Sequence, residues 1–141
     1  MASMKLIIYT DGASRGNPGP ASYGFTISGG SGKLIFEEGK YIGVTTNNIA
    51  EYTAVLEAFK WISKNIKEKV EIELFADSKL VAEQLAGKWK IKHPGLKPLF
   101  EQIKILEMEL GGVVHTHVPR EKNTIADSLA NQALDNKLIL D

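Results

Sequence analysis

Lys5-Leu6-Ile7-Ile8-Tyr9-Thr10-Asp11 runs directly into Gly12-Ala13-Ser14-Arg15-Gly16-Asn17-Pro18-Gly19-Pro20. The first seven residues are rich in β-formers and too short for a helix, so they read as a strand that Gly12 stops. The stretch from Gly12 to Ser22 holds three glycines and two prolines and reads as a shaped loop. Two more strand-like runs follow, Tyr23 to Ser28 and Lys33 to Val44. Gly29-Gly30-Ser31-Gly32 joins them as an antiparallel hairpin connection.

From Asn47 the apolar period lengthens. Tyr52, Leu56, Phe59 and Ile62 recur at helical spacing with Lys60 and Lys64 on the other side, predicting an amphipathic helix to about Ile66. Val70-Glu71-Ile72-Glu73-Leu74 alternates, as a half-exposed strand does. Ser78 to Ala86 reads as a helix ended by Gly87. Lys97 to Leu110 is a second, set between Pro94-Gly95 and Gly111-Gly112. Val113 to Val118 makes a fifth strand and Thr124 to Leu134 a last helix. The order βββαβααβα, a meander followed by crossover helices, predicts an α/β fold with a mixed five-stranded sheet flanked by helices.

The 141 residues, 43% hydrophobic and 24% charged, suit one globular domain spanning 1–141. Met1-Ala2-Ser3 reads as an expression remnant or alternative start. Lys plus Arg (17) balance Asp plus Glu (17), so a polyanion must be met by a local patch or by metal ions. The absence of cysteine excludes disulfides, thiolate metal sites and cysteine nucleophiles, and suits a cytoplasmic location. No apolar run approaches the length of a membrane span.

Four acids occupy corresponding places. Asp11 ends the first strand, Glu51 lies in the first turn of the long helix, Asp77 ends the fourth strand and Asp127 opens the last helix. Each has an ordinary structural reading. Asp11-Gly12 is a turn pair, Glu51 can close a capping box with Asn48, and Asp77 or Ser78 can cap a helix. Asp127 suits a helix N-terminus, three residues after Thr124. Together they read differently. Were strands one and four neighbours, all four would meet at one edge, where carboxylates repel unless a cation intervenes. Hard oxygen ligands without His or Cys select Mg²⁺ or Mn²⁺. Two such ions about 3.5–4 Å apart serve in-line displacement at phosphorus.

Thr10 to Pro20, Thr45-Thr46-Asn47-Asn48-Ile49-Ala50-Glu51-Tyr52, Phe75-Ala76-Asp77-Ser78 and His117 to Ala130 resemble, in order and spacing, the four motifs of type 1 ribonuclease H, in its archaeal and plant-like form. The likeness extends over Met4 to Leu134. It implies a ribonuclease H-like fold with strand order 3-2-1-4-5, and a monomer that needs no protein partner and no membrane. It further implies an endonuclease hydrolysing the RNA strand of RNA/DNA hybrids to 5′-phosphate and 3′-hydroxyl ends, with double-stranded RNA as a second candidate partner. Two ions, Mg²⁺ or Mn²⁺, would be held by Asp11, Glu51, Asp77 and Asp127, with Asp11 bridging. Asn17 and Asn48, with Asn47 and the loop Ser14, Arg15 and Gly16, match positions that read the 2′-hydroxyl, which separates RNA from DNA. Thr46 matches a phosphate grip on the DNA strand.

Two features depart from the usual pattern. Many relatives place a mobile histidine before the last acid; here His117 and Arg120 both stand as candidates, and arginine would act by charge alone. The basic protrusion of some relatives is reduced to Gly87-Lys88-Trp89-Lys90-Ile91-Lys92-His93-Pro94-Gly95-Leu96-Lys97. Its lysines, Lys88 and Lys90 among them, suit phosphates, and Trp89 suits stacking on a sugar or base or burial in the core. Two other functions compete. A 3′–5′ exonuclease or resolvase also clusters acids but leaves Asn17 and Asn48 unexplained. A non-catalytic hybrid- or duplex-binding module would be hindered by four acids facing a polyanion.

Overall fold

A computed structural model of the chain describes residues 4–88 and 90–140. Among them, strands β1 (Met4–Ser14), β2 (Gly19–Gly29), β3 (Leu34–Thr45), β4 (Val70–Ala76) and β5 (Val113–His117) form one sheet in the order β3-β2-β1-β4-β5. The first three strands are mutually antiparallel, while β4 runs parallel to β1 and β5 parallel to β4. Helices α1 (Asn47–Asn65), α2 (Lys79–Leu85), α3 (Lys97–Glu109) and α4 (Thr124–Leu140) complete the fold, with a one-turn 3-10 helix at Arg120–Lys122. The mixed sheet and its strand order are those expected.

Alternation along β1 assigns the layers. Leu6, Ile8, Thr10 and Gly12 face α1, while the residues between them face α4's side of the sheet. Strand β2 is covered by α1 on one face and α4 on the other, so it is buried almost throughout. On the α1 side Tyr52, Phe59 and Ile62 are fully buried against Leu6, Ile8, Tyr23 and Phe25. Each such side chain contributes roughly 1.5–3 kcal/mol. Trp61 stacks on Phe36 with ring centroids 4.5 Å apart. No helix among the described residues is long and apolar enough to cross a membrane.

The strand boundaries correct the sequence reading. Gly12 does not end β1, which continues to Ser14, and β2 already begins at Gly19. The expected loop of Gly12 to Ser22 shrinks to residues 15–18 because Asp11, Gly12, Ala13 and Ser14 pair with Gly24, Tyr23, Ser22 and Ala21. Asp11 therefore lies inside a strand rather than at its end. Helix α4 extends past Leu134 to Leu140.

Candidate active site

Two glycines flank Asp11 in the sheet, and both are there to let a helix approach. Gly12, the next residue, faces α1; a Cβ on it would stand 2.4 Å from the Glu51 backbone nitrogen and 2.6 Å from the Ala50 carbonyl carbon. Gly24, paired with Asp11 on β2, faces α4, where a Cβ would stand 2.4 Å from the Ala126 carbonyl oxygen. Absence of a side chain thus brings the N-terminal ends of α1 and α4, with Glu51 and Asp127, onto the strand that carries Asp11. Asp77 arrives by register: Thr10 pairs with Ala76 in the parallel β1–β4 ladder, so the next residue on each strand is an aspartate.

Asp11, Glu51 and Asp77 each offer a carboxylate oxygen to a group lying within 4.8 Å of one another. Asp11 and Glu51 are buried, at 4% and 3% exposure, and Asp77 is half-buried. Burial pushes the Asp11 carboxyl far up, and the neighbouring Glu51, Asp77 and Asp127 push it further. Burial also raises Glu51; contact with Asp11, the Gly12 backbone and the charge of Arg120 pull it partly back, while Asp77 adds to the rise. Asp77 is raised by burial and by Asp127, and Asn123 and Arg120 offset part of this. Asp127 stands at the margin of the trio, its carboxylate reaching that of Asp11.

One oxygen of Glu51, Oε2, is buried with no hydrogen-bond partner. A buried carboxylate oxygen left unpaired is costly, and its natural complement is a cation. The donors available are hard carboxylate oxygens, the set that suits Mg²⁺ or Mn²⁺. On both counts the residues fit divalent ions.

Helix α1 is capped by Thr46, whose Oγ1 accepts the Ile49 N–H at 3.2 Å. Asn48 lies inside the helix, so the capping box that its spacing to Glu51 would allow does not form. Glu51 is held by burial instead. Ser78 caps α2 by accepting the Val81 N–H, which leaves Asp77 free of that duty. Asn17 accepts the Asn47 N–H at 3.0 Å, tying the β1–β2 loop to the start of α1. The segment that carries Ser14, Gly16 and Asn17 thus meets the helix start that carries Thr46, Asn47 and Asn48, one turn before Glu51. Arg15 turns elsewhere: its guanidinium lies 2.5 Å from Asp135 on α4.

Arg120 is exposed, yet its charge reaches both Glu51 and Asp77. His117, also exposed, lines a different hollow with Glu83, Lys88 and His115. Lys88 and Lys90 are exposed beyond α2, Lys88 within 3.6 Å of Glu83; Trp89 lies outside the described residues. Asn123 went unassigned in the sequence. It is 1% exposed, donates to the Thr10 carbonyl at 2.8 Å and contacts the Asp77 carboxylate. The only sequence signal for it was its place just before a helix start.

The sheet order and the acid group at the β1–β4 junction define the ribonuclease H-like class of α/β proteins. A family model described as "Reverse transcriptase-like" matches residues 9–133. LC11-RNase H1, isolated from compost by a metagenomic approach, superposes with a TM-score of 0.91 at 44% identity, covering 95% of this chain and 98% of that one. A second structure of that protein is a complex with an RNA/DNA hybrid, with a TM-score of 0.90 at 43% identity over 94% of this chain and 99% of that one. Ribonuclease HI of Halobacterium salinarum is 43% identical over 91% of this chain and 63% of its own length. A bifunctional protein of Mycobacterium tuberculosis is 42% identical over 94% of this chain, which spans 36% of that longer protein. The chain belongs to the type 1 ribonuclease H family.

Proposed function

We propose that the protein is a metal-dependent endoribonuclease that hydrolyses the RNA strand of RNA/DNA hybrids, and that residues 1–141 act as one catalytic unit. The observation that carries this is the carboxylate trio, with two members buried, one oxygen of Glu51 without a hydrogen-bond partner, and the charge of Arg120 reaching Glu51 and Asp77. Similarity to a protein crystallised with such a hybrid supports the choice of substrate.

Asp11, Glu51, Asp77 and Asp127 would hold two divalent ions, Mg²⁺ or Mn²⁺. When bound, these lower the pKa of a water and neutralise charge on the phosphate and the leaving oxygen. The chain's own groups do the rest. Asn17 spends its carbonyl on Asn47, which leaves its NH₂ to donate to a 2′-hydroxyl. Asn48, at the same helix start, offers both donor and acceptor to that hydroxyl. Thr46 accepts Ile49's N–H, so its own O–H remains to donate to a phosphate of the DNA strand. Arg120, whose charge reaches Glu51 and Asp77, would draw the product phosphate away, and this favours it in that part over His117, which lines a hollow with Glu83, Lys88 and His115. Lys88, Lys90 and Lys92 extend the phosphate-binding surface beyond α2. Absence of cysteine suits a cytoplasmic enzyme.

An internally labelled hybrid incubated with and without Mg²⁺ tests the proposal. Internal fragments with 5′-phosphates, formed only with metal, are the expected products. Release of terminal nucleotides would indicate an exonuclease, and binding without cleavage a non-catalytic module; either result would refute the proposal.

A further inference from the structure

Asp127 is not left to find its own orientation. One turn further along α4, Asn131 donates its Nδ2 both to the Asp127 carbonyl at 2.9 Å and to the Asp127 carboxylate Oδ1 at 3.2 Å. The other end of the same amide accepts: Arg15 Nη2 lies 3.4 Å from Asn131 Oδ1 and, on the same nitrogen, 2.5 Å from Asp135 Oδ1. Residues 127, 131 and 135 repeat at four-residue spacing and so line one face of α4. Arg15, which belongs to the β1–β2 loop, lies across them.

The chemistry of the amide gives this chain a direction. Turned over, Asn131 would present its oxygen to the Asp127 carboxylate, acceptor against acceptor, and its NH₂ to a guanidinium, donor against donor. Arg15 therefore penalises the reversed amide from one end as Asp127 does from the other. The Arg15–Asp135 pair is about half exposed, with side-chain exposures of 45% and 52%, so it contributes little to stability. Its consequence is orientation. With one oxygen engaged by Asn131, Asp127 is left with the other to turn toward Asp11.

We infer that Arg15 and Asn131 are positioning residues: Arg15 sets the Asn131 amide, which sets the Asp127 carboxylate for its metal ion. This rests on the reading of Asp127 as a metal ligand. It also reassigns Arg15 from substrate contact to positioning. The β1–β2 loop that carries Asn17 is thereby joined to the fourth acid through a continuous set of hydrogen bonds.

The test is Mn²⁺ binding to the whole chain, followed by the loss of the free-ion EPR signal. It is run with a bound hybrid carrying 2′-deoxynucleotides across the scissile step, so that no turnover is needed. Asn131→Ala should weaken Mn²⁺ binding about tenfold, the lower end of what removing an outer-sphere partner costs. Arg15→Ala should weaken it by roughly threefold, and the double variant should match Asn131→Ala alone, because the first acts through the second. Arg15→Lys keeps the charge near Asp135 but loses the planar fork and should behave as Arg15→Ala. Thermal melts confirm that these surface changes leave the fold intact. In turnover the loss should appear in kcat and in the Mg²⁺ requirement, with KM for the hybrid unchanged. Additive effects on Mn²⁺ binding would overturn the relay, as would loss of hybrid affinity at unchanged Mn²⁺ affinity, which would make Arg15 a phosphate contact. Both results leave the catalytic reading intact; a wild-type chain that cuts no hybrid with metal present would overturn that reading instead.

Discussion

Asp11, Glu51 and Asp77 all bind a proton more tightly in the folded chain than in the unfolded one, where carboxyls titrate near 4. A raised folded value means stability that is complete below the unfolded pKa and is lost as pH rises through the folded one. Without metal, the protein should therefore melt at a lower temperature at pH 8 than at pH 6, and Mg²⁺ or Mn²⁺ should recover the difference at pH 8. A melting temperature insensitive to both would contradict the electrostatics described. Glu107 has the opposite sign: burial alone would raise it, but hydrogen bonds from His115 and Lys104 outweigh this and hold it low. Its contribution falls away only in more acid solution, outside that window. Asp11→Asn should accordingly stabilise the metal-free fold at pH 8 by roughly 1–3 kcal/mol, measured by urea denaturation. Asp77→Asn should abolish cleavage while hybrid binding, followed by fluorescence anisotropy, survives.

At the scale of elements, the site depends on how closely two helices approach one strand. Adding a methyl group at Gly12 places it 2.4 Å from backbone of Glu51, and backbone in a capped helix cannot swing aside. Gly12→Ala should cost about 1–3 kcal/mol as overpacking and lower kcat more than any single distant core change of equal stability cost. A variant that loses stability but keeps full kcat at permissive temperature would show that the approach of α1 does not set the site. This was not legible in the sequence, where Asp-Gly reads as a turn because the pair is so often one. Helix capping is equally hard to read locally: Asn48 has the capping-box spacing to Glu51, but Thr46 has the extended backbone that a cap requires. Helical and strand periods, by contrast, were read correctly in α1 and β4, since each buries one face and exposes the other.

For the molecule as a whole, balanced charge leaves no general attraction for a polyanion, so binding must rest on local features. The exposed lysines at 88, 90 and 92 are such a feature. Replacing all three with alanine should raise KM for the hybrid and lower the slope of log KM against log salt by up to about 0.9 per lost phosphate contact; an unchanged slope would remove this loop from the interface. By itself the sequence determined the element order and the mixed sheet and singled out the candidate acids, because periodicity and motif spacing are written along the chain. Only the tertiary structure decided that Asp11 lies within a strand, that Gly12 and Gly24 are contact points for helices, and that Arg15 turns toward α4. Those facts depend on residues distant in sequence, as far as 120 positions for Arg15 and Asp135, and no local pattern encodes which surfaces close packing will press together.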